Sequence, residues 1–507
     1  METGTWITLG LYFALMLGIG LYSYRESTSD VSGYMLGGRK LGPAVASLSA
    51  GASDMSGWML LGLPGAMFLS GLSSAWIAIG LFLGALANYL IVAPRLRTYT
   101  VMANDAITIP DYFDKRFMDR SRLLRVISSL VIVIFFTLYT SSGLVAGGKL
   151  FESAFGLDYS WGLWITAGVV LAYTMVGGFM AVSLTDFVQG CIMFVALILV
   201  PIVALTQIGG VDGVTETVRG IDPGLLNLFQ GATVISVISA MAWGLGYFGQ
   251  PHIIVRFMAV RSLKDVPTMR NIGMSWMLVT LIGALSTGLV GLAYATRTGL
   301  EVADAETIFI LLSDVLFDPL ITGFLLAAIL AAIMSTISSQ LLVSSSSLTE
   351  DFYSIFLRKN APQKELVLIG RLAVLAVSLA AIFLAYDPSN NVLGLVSNAW
   401  AGFGAAFGPL VILSLTWKRM TRNGALAGMI VGAVTVLIWI YAPVLADGQT
   451  LSQGSGIYEI VPGFILSWLA IWLVSMAGKP PAEDVQSTFE AVRQALRDPG
   501  SMGIKSP

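Results

Sequence analysis

The stretch SLSAGASDMSGWMLLGLPGAMF, residues 47–68, carries a carboxylate, Asp54, in the middle of an otherwise apolar segment of membrane length. An ionised side chain at that depth costs on the order of 2.5 kcal/mol or more by insertion scales. Such a residue ordinarily faces a cavity or an ion path rather than lipid. Around it run Gly51, Ala52, Ser53, Met55, Ser56 and Gly57, glycines and short side chains that let a helix break. Broken backbone at membrane depth is tolerated only where it is buried in protein or lines a water-filled cavity. The segment therefore reads as an interrupted membrane helix built around a transport site.

The rest of the chain agrees with a membrane setting. Over 507 residues, 56% are hydrophobic and 11% charged, with a mean hydropathy of +0.81, against about 25% charged in an ordinary soluble domain. Apolar runs near membrane length predict thirteen spans, at 5–23, 43–70, 73–93, 123–148, 160–178, 184–207, 232–248, 272–296, 319–345, 365–386, 392–416, 423–442 and 458–477. Cytoplasmic loops should hold the excess of Lys and Arg. With the N-terminus outside, the outside loops hold only Lys149, Arg219 and Arg297 of the 28 basic residues, while Arg125 and Arg371 sit at cytoplasmic mouths and all the others, Arg256 among them, fall inside. That alternation predicts a cytoplasmic C-terminus and a multi-pass protein of the cell membrane, the bacterial inner membrane.

No soluble domain is expected, and the organisation is one transmembrane domain over 1–480 followed by a cytoplasmic tail, 481–507. In the tail Val485, Phe489, Val492 and Leu496 share a helical face, the pattern of a short helix resting on the protein or the bilayer. The first span has no basic n-region and reads as a retained anchor. A single cysteine, Cys191, and a single histidine, His252, exclude a disulfide framework and a thiolate or His-rich metal cluster, and argue against an intramembrane enzyme. His252 follows Pro251 at the inner helix end and is expected to be structural. The scattered basic residues are topology signals, so neither nucleic acid nor an obligate protein partner is implied.

A second interruption lies in the seventh span, MAWGLGYFGQPHII from Met241, where Gly244, Gly246, Gly249 and Pro251 fall close together. So many breakers argue against a continuous helix. The second and seventh spans run in opposite directions five spans apart, as two inverted five-helix repeats, about 43–207 and 232–416, would require. Paired interrupted spans in corresponding positions point to the binding site of a transporter, and a channel would lack them.

The ninth span, LLAAILAAIMSTISSQLLVSSSSLTEDF from Leu325, is rich in hydroxyls. Ala332, Ser335 and Thr336 stand at i, i+3 and i+4, on one helix face. Their oxygens, with carbonyls freed by a break near Ala52 to Met55, are the ligands a monovalent cation takes in such a site. Taken alone, the same hydroxyls would bond back to their own helix. Tyr139 in the fourth span, with Trp243 and Tyr247 in the seventh, supplies aromatic faces that suit a small, partly apolar ammonium ligand. Asp186, in AVSLTDFVQG, reads either as an N-cap of the sixth span or as an ion-linked carboxylate.

The segments GGRKLGP from Gly37, SAGASDMSGW from Ser49, SLTDFVQG from Ser183, GYFGQPHIIVRFMA from Gly246, ILAAIMSTISSQLLV from Ile329 and AWAGFGAAFGPL from Ala399 closely resemble the sodium/solute symporter family over nearly the whole chain. The resemblance implies an all-α polytopic membrane protein of thirteen transmembrane helices, N-terminus outside, with the LeuT-like fold and its inverted repeats. It implies import of L-proline together with a co-transported sodium ion and no enzymatic activity. Carried over, the sodium site comprises Ala52, Met55, Ala332, Ser335 and Thr336. The proline site comprises Ser56, Gly57, Tyr139, Trp243, Tyr247, Pro251 and Gly323. Asp54 and Asp186 are linked to sodium, and Arg39 to coupling.

Overall fold

The computed structural model describes residues 2–27, 30–387 and 392–498. Among these the chain is helical throughout, and its one strand-like feature is an isolated parallel bridge between Leu41 and Val260. Ten helical stretches among the described residues are long and apolar enough to cross a membrane. The first helix, Thr3–Ser27, turns Trp6, Leu11, Leu15 and Leu21 outward. Its inner face packs on Tyr159–Gln207 and Pro319–Ser346.

Pro319–Ser346 is the axis of the bundle. From Leu325 to Ser346 every residue is buried, so this stretch has no lipid face. That is why it tolerates so many hydroxyls. In a low-dielectric interior each one needs a partner, and Ser338 and Ser346 find theirs in carbonyls of their own helix.

Both predicted interruptions are present. Pro43–Met55 ends where Ser56 takes φ 51 and ψ −172. A π-type turn, Trp58–Gly62, then leads into Leu63–Ser70. In the second interrupted segment, Val234–Met241 tightens into a 3₁₀ stretch, Ala242–Gly249, and Gln250 is extended before Pro251 opens a new helix, Pro251–Ala259. Proline at the first helical position loses no hydrogen bond, since that amide has no partner within the helix.

The fifth and sixth predicted spans form one element, Tyr159–Gln207, bent at Gly178 with φ 58 and ψ −149. A Cβ there would lie 2.6 Å from the Tyr34 ring, so both the backbone conformation and the space select glycine. The tail forms the helix Glu483–Arg497, whose buried face, Val485, Phe489, Val492 and Ala495, lies against Ala75–Met102. The tail helix thus rests on the protein.

Candidate functional site

The break at Ser56 leaves the last carbonyls of Pro43–Met55 without the amides that would continue the helix. The Ser335 hydroxyl fills one of these vacancies by donating to the Ala52 carbonyl at 2.7 Å. The Ala332 carbonyl accepts from both Ser335 and Thr336, each at 3.2 Å. Two hydroxyls and two carbonyls from the second and ninth spans therefore converge, all buried. Met55 ends the same helix and lines the adjoining cavity.

Two residues along, Asp54 is 7% exposed and accepts a hydrogen bond from the Tyr247 hydroxyl. Among the described residues no basic side chain reaches it. A carboxylate without a counter-ion in the interior is costly unless hydrogen-bonded or beside a cation. Here a hydroxyl of the seventh span supplies the bond.

Asp54, Met55, Ser56, Tyr139, Trp243 and Tyr247 line one cavity whose accessible volume is about 10 Å³. That is room for about one water, so the side chains close on one another here and a solute needs them to part. The cavity walls are aromatic. Trp243 is stacked between Trp58, with centroids 5.8 Å apart, and Tyr458 at 5.3 Å. Tyr247 meets the edge of Trp400 at 5.1 Å, and the Trp400 indole donates to the Trp243 carbonyl at 2.7 Å. The seventh-span glycines make this packing possible: a Cβ on Gly246 would lie 1.9 Å from the Trp400 indole nitrogen, and one on Gly244 2.1 Å from the Gly80 carbonyl oxygen.

The remaining predicted residues lie around this centre. Gly57 sits behind it, between Ile333 and Ala146. Pro251 is buried at the start of its helix and is absent from the cavity wall. Gly323 is also absent from the wall; it gives room for the backbone of Thr5 in the first helix. Arg39 ties the lead-in of the second span to two other segments, through Asp105 at 2.8 Å, Thr100 at 3.2 Å and the Met258 carbonyl at 2.7 Å.

Asp186 is not an N-cap. It lies inside the bent helix and is fully buried, accepting from Ser49 at 2.7 Å and Ser339 at 3.4 Å and pairing with Arg256 at 3.2 Å. Arg256, counted from the sequence as a loop charge, is 1% exposed inside Pro251–Ala259 and also donates to Ser49 and Ser339. His252 is fully buried, edge-on to Phe136 at 5.3 Å, which makes it a packing residue well inside the bundle.

Comparison with known proteins places this arrangement. The family model described as "Sodium:solute symporter family" matches residues 34–432. The chain belongs to that family. The symporter is 59% identical over 97% of its length to the osmoregulated proline transporter OpuE of Bacillus subtilis (strain 168), 98% of which is covered. It is 58% identical over 95% of its length to the high-affinity proline transporter PutP of the same organism, covered in full. The solved structure of a Na+-coupled sialic acid symporter, substrate-bound and outward-open, superposes with a TM-score of 0.80 at 19% identity, covering 95% of this chain and 99% of that one. A nucleobase-cation-symport-1 family transporter in a closed conformation superposes at 0.56, with 12% identity, over 92% of this chain and 99% of that one. At these identities the two structures establish the fold alone, the LeuT-like architecture. As a family member the chain is a transporter and not an enzyme.

Sequence reading missed Trp58, Leu81, Val396 and Trp400 in the cavity wall. Trp58 carried a signal, since it follows the break by two residues. Trp400 carried none, because only the packing of the eleventh span against the broken seventh brings it there. Arg256 had a signal in its i+4 spacing from His252, which puts it on the same helix as a residue already read as a helix end.

Proposed function

We propose that this symporter imports L-proline together with sodium by alternating access. The observation that carries the reading is the shared joint of ion and substrate sites: the Ala52 carbonyl is held by Ser335, and two residues on, Asp54 lines the aromatic cavity. Sodium is bound by the carbonyls of Ala52, Met55 and Ala332 and the hydroxyls of Ser335 and Thr336. Proline lies with its ring against Tyr139, Trp243 and Tyr247. Its carboxylate faces the amides around Ser56 and Gly57, at the positive end of the continuing helix. The Bacillus relatives, named as proline transporters, support the substrate.

Binding of sodium at the break orders the backbone that proline then contacts, and the reverse must hold to the same degree, because the coupling free energy between two sites is reciprocal. Asp54, Asp186 and Arg39 serve coupling rather than proline contact, and Pro251 and Gly323 act through the helices they position. The chain crosses the bacterial inner membrane thirteen times, N-terminus outside and C-terminus cytoplasmic. The repeats 43–207 and 232–416 rock against each other within the domain 1–480, and 481–507 is the tail. The bend at Gly178 supports the count by dividing Tyr159–Gln207 in two.

The test is counterflow of labelled L-proline in vesicles holding the purified protein, with and without a sodium gradient. Sodium-driven accumulation that unlabelled proline exchanges is expected. Sodium-driven accumulation of another solute, with proline ignored, would overturn the substrate assignment and leave the family untouched.

A further inference from the structure

At the end of the bundle that carries the tail helix, a cavity of about 530 Å³ opens between Ala75–Met102, the C-terminal end of Val392–Thr416 and Glu483–Arg497. Its charged lining is Arg95, Lys418, Arg493, Arg497 and Glu490. Lys418 holds Glu490 at 3.1 Å, Arg493 and Arg497 share the field of that same carboxylate, and Arg95 donates to the Ile91 carbonyl at 2.8 Å, so four basic side chains face the space against one acidic one. Behind the wall lies another arginine. Arg116 is 1% exposed, its Nε donates to the Ser414 carbonyl at 2.8 Å, and both terminal guanidinium nitrogens are without a hydrogen-bond partner. It is caged by the rings of Phe117, Phe489 and Tyr99 at 4.8, 5.2 and 5.3 Å. Tyr99 and Phe489 are themselves walls of the cavity. Ring faces offset part of the cost of a buried cation, but no carboxylate pairs with it among the described residues.

We propose that this cleft binds a phosphate-bearing anion, either the headgroup of an anionic phospholipid or a free phosphate, and so clamps the tail helix to the bundle. Guanidinium groups suit phosphate because their planar donors match its oxygens. Basic pockets at the membrane edge of helical bundles take such headgroups. Leu415, Val492 and Leu496 add an apolar side to the same cavity, which gives a lipid's glycerol and first methylenes a place that a free ion would not use. The proposal concerns the end of the bundle that carries the tail and is independent of which solute is transported.

The full chain in detergent is titrated with a short-chain phosphatidylglycerol, the matching phosphatidylcholine, or inorganic phosphate, while its thermal unfolding midpoint is followed. Phosphatidylglycerol should raise the midpoint saturably and phosphatidylcholine should not. A basic residue beside an anionic headgroup contributes roughly fivefold in affinity, so the double variant Arg493→Gln, Arg497→Gln should require roughly 25 times more phosphatidylglycerol for the same shift. Both positions are exposed on the tail helix; should that variant fail to fold, the single variant Arg493→Gln provides the comparison, with roughly fivefold more phosphatidylglycerol required. An equal shift with inorganic phosphate, to which phosphatidylglycerol adds nothing, assigns the site to the free ion. Equal response to phosphatidylglycerol and phosphatidylcholine, no shift with any of the three, or variants that respond like the parent protein would overturn the proposal.

Discussion

Asp54 and Tyr247 join the two interrupted segments through one hydrogen bond. Replacing Asp54 by Asn keeps the size and removes the charge, so the variant should reach the membrane in normal amounts and lose sodium-driven uptake; wild-type rates in Asp54→Asn vesicles would show that the carboxylate is dispensable. On the ion side, Ser335 and Thr336 are the only side-chain oxygens in the proposed sodium shell. Changing both to Ala should raise the sodium concentration needed for half-maximal uptake far more than it lowers protein abundance, and an unchanged sodium dependence would remove them from the site. Trp243 is held between Trp58 and Tyr458, so its truncation strips a ring face from the cavity. Trp243→Ala should weaken proline binding at saturating sodium by about 1 to 3 kcal/mol, measured directly as ligand binding in detergent. At this scale the sequence was informative about chemistry and silent about distance. Ser335 and Thr336 could be put on one face by spacing, whereas the meeting of Ser335 with Ala52 needed two helices to cross.

Elements carry the conformational devices. Gly178 holds a left-handed conformation against the ring of Tyr34. Gly178→Ala should therefore destabilise the protein, with about 1–2 kcal/mol from the backbone alone and more from the clash, and lower the thermal midpoint. The exposed Gly168, whose Cβ would meet nothing, is the control, and an equal effect of Gly168→Ala would discount the bend. Asp119 organises the turn into Leu123–Phe155. Burial pushes its carboxyl up, but hydrogen bonds from the Ser121 hydroxyl and the Leu124 and Ser121 amides, together with Arg422, outweigh that and hold it below the usual carboxylate range. A carboxylate depressed on folding stabilises the protein above its unfolded pKa, about 4, and this stabilisation is lost as pH falls through the folded value. Asp119→Asn should therefore flatten the acid limb of the stability curve below about pH 4, and an unchanged limb would show that the group does not contribute. Both interruptions were legible in the sequence because glycine, serine and proline have strong local preferences. The merging of two predicted spans into one bent helix was not, because the pair Gly177 and Gly178 marks a break without saying that the two halves remain one element.

For the whole molecule, the two proposed repeats meet backbone on backbone where the third span crosses the broken seventh. A Cβ on Gly84 would fall 2.2 Å from the Gly244 carbonyl oxygen, and one on Gly80 2.4 Å from that of Met241. Even Gly84→Ala should cost stability of about 1–3 kcal/mol or more and reduce proline binding along with it, since the displaced segment carries Trp243 and Tyr247. Retained stability and affinity would mean that the two segments part easily. By itself, the sequence determined the membrane setting, the two breaks, the carboxylate of Asp54 at membrane depth and the hydroxyl face of the ninth span. Each of these rests on composition or on spacings of a few residues, where local rules hold. The tertiary structure alone decided that Asp186 pairs with Arg256 inside the bundle rather than capping a helix. It likewise decided that Trp58 and Trp400 complete the cavity, that Gly323 belongs to the packing of the first helix, and that the tail covers Arg116. These depend on contacts between residues far apart in the chain, and a helix's own periodicity says which face is buried but not against what.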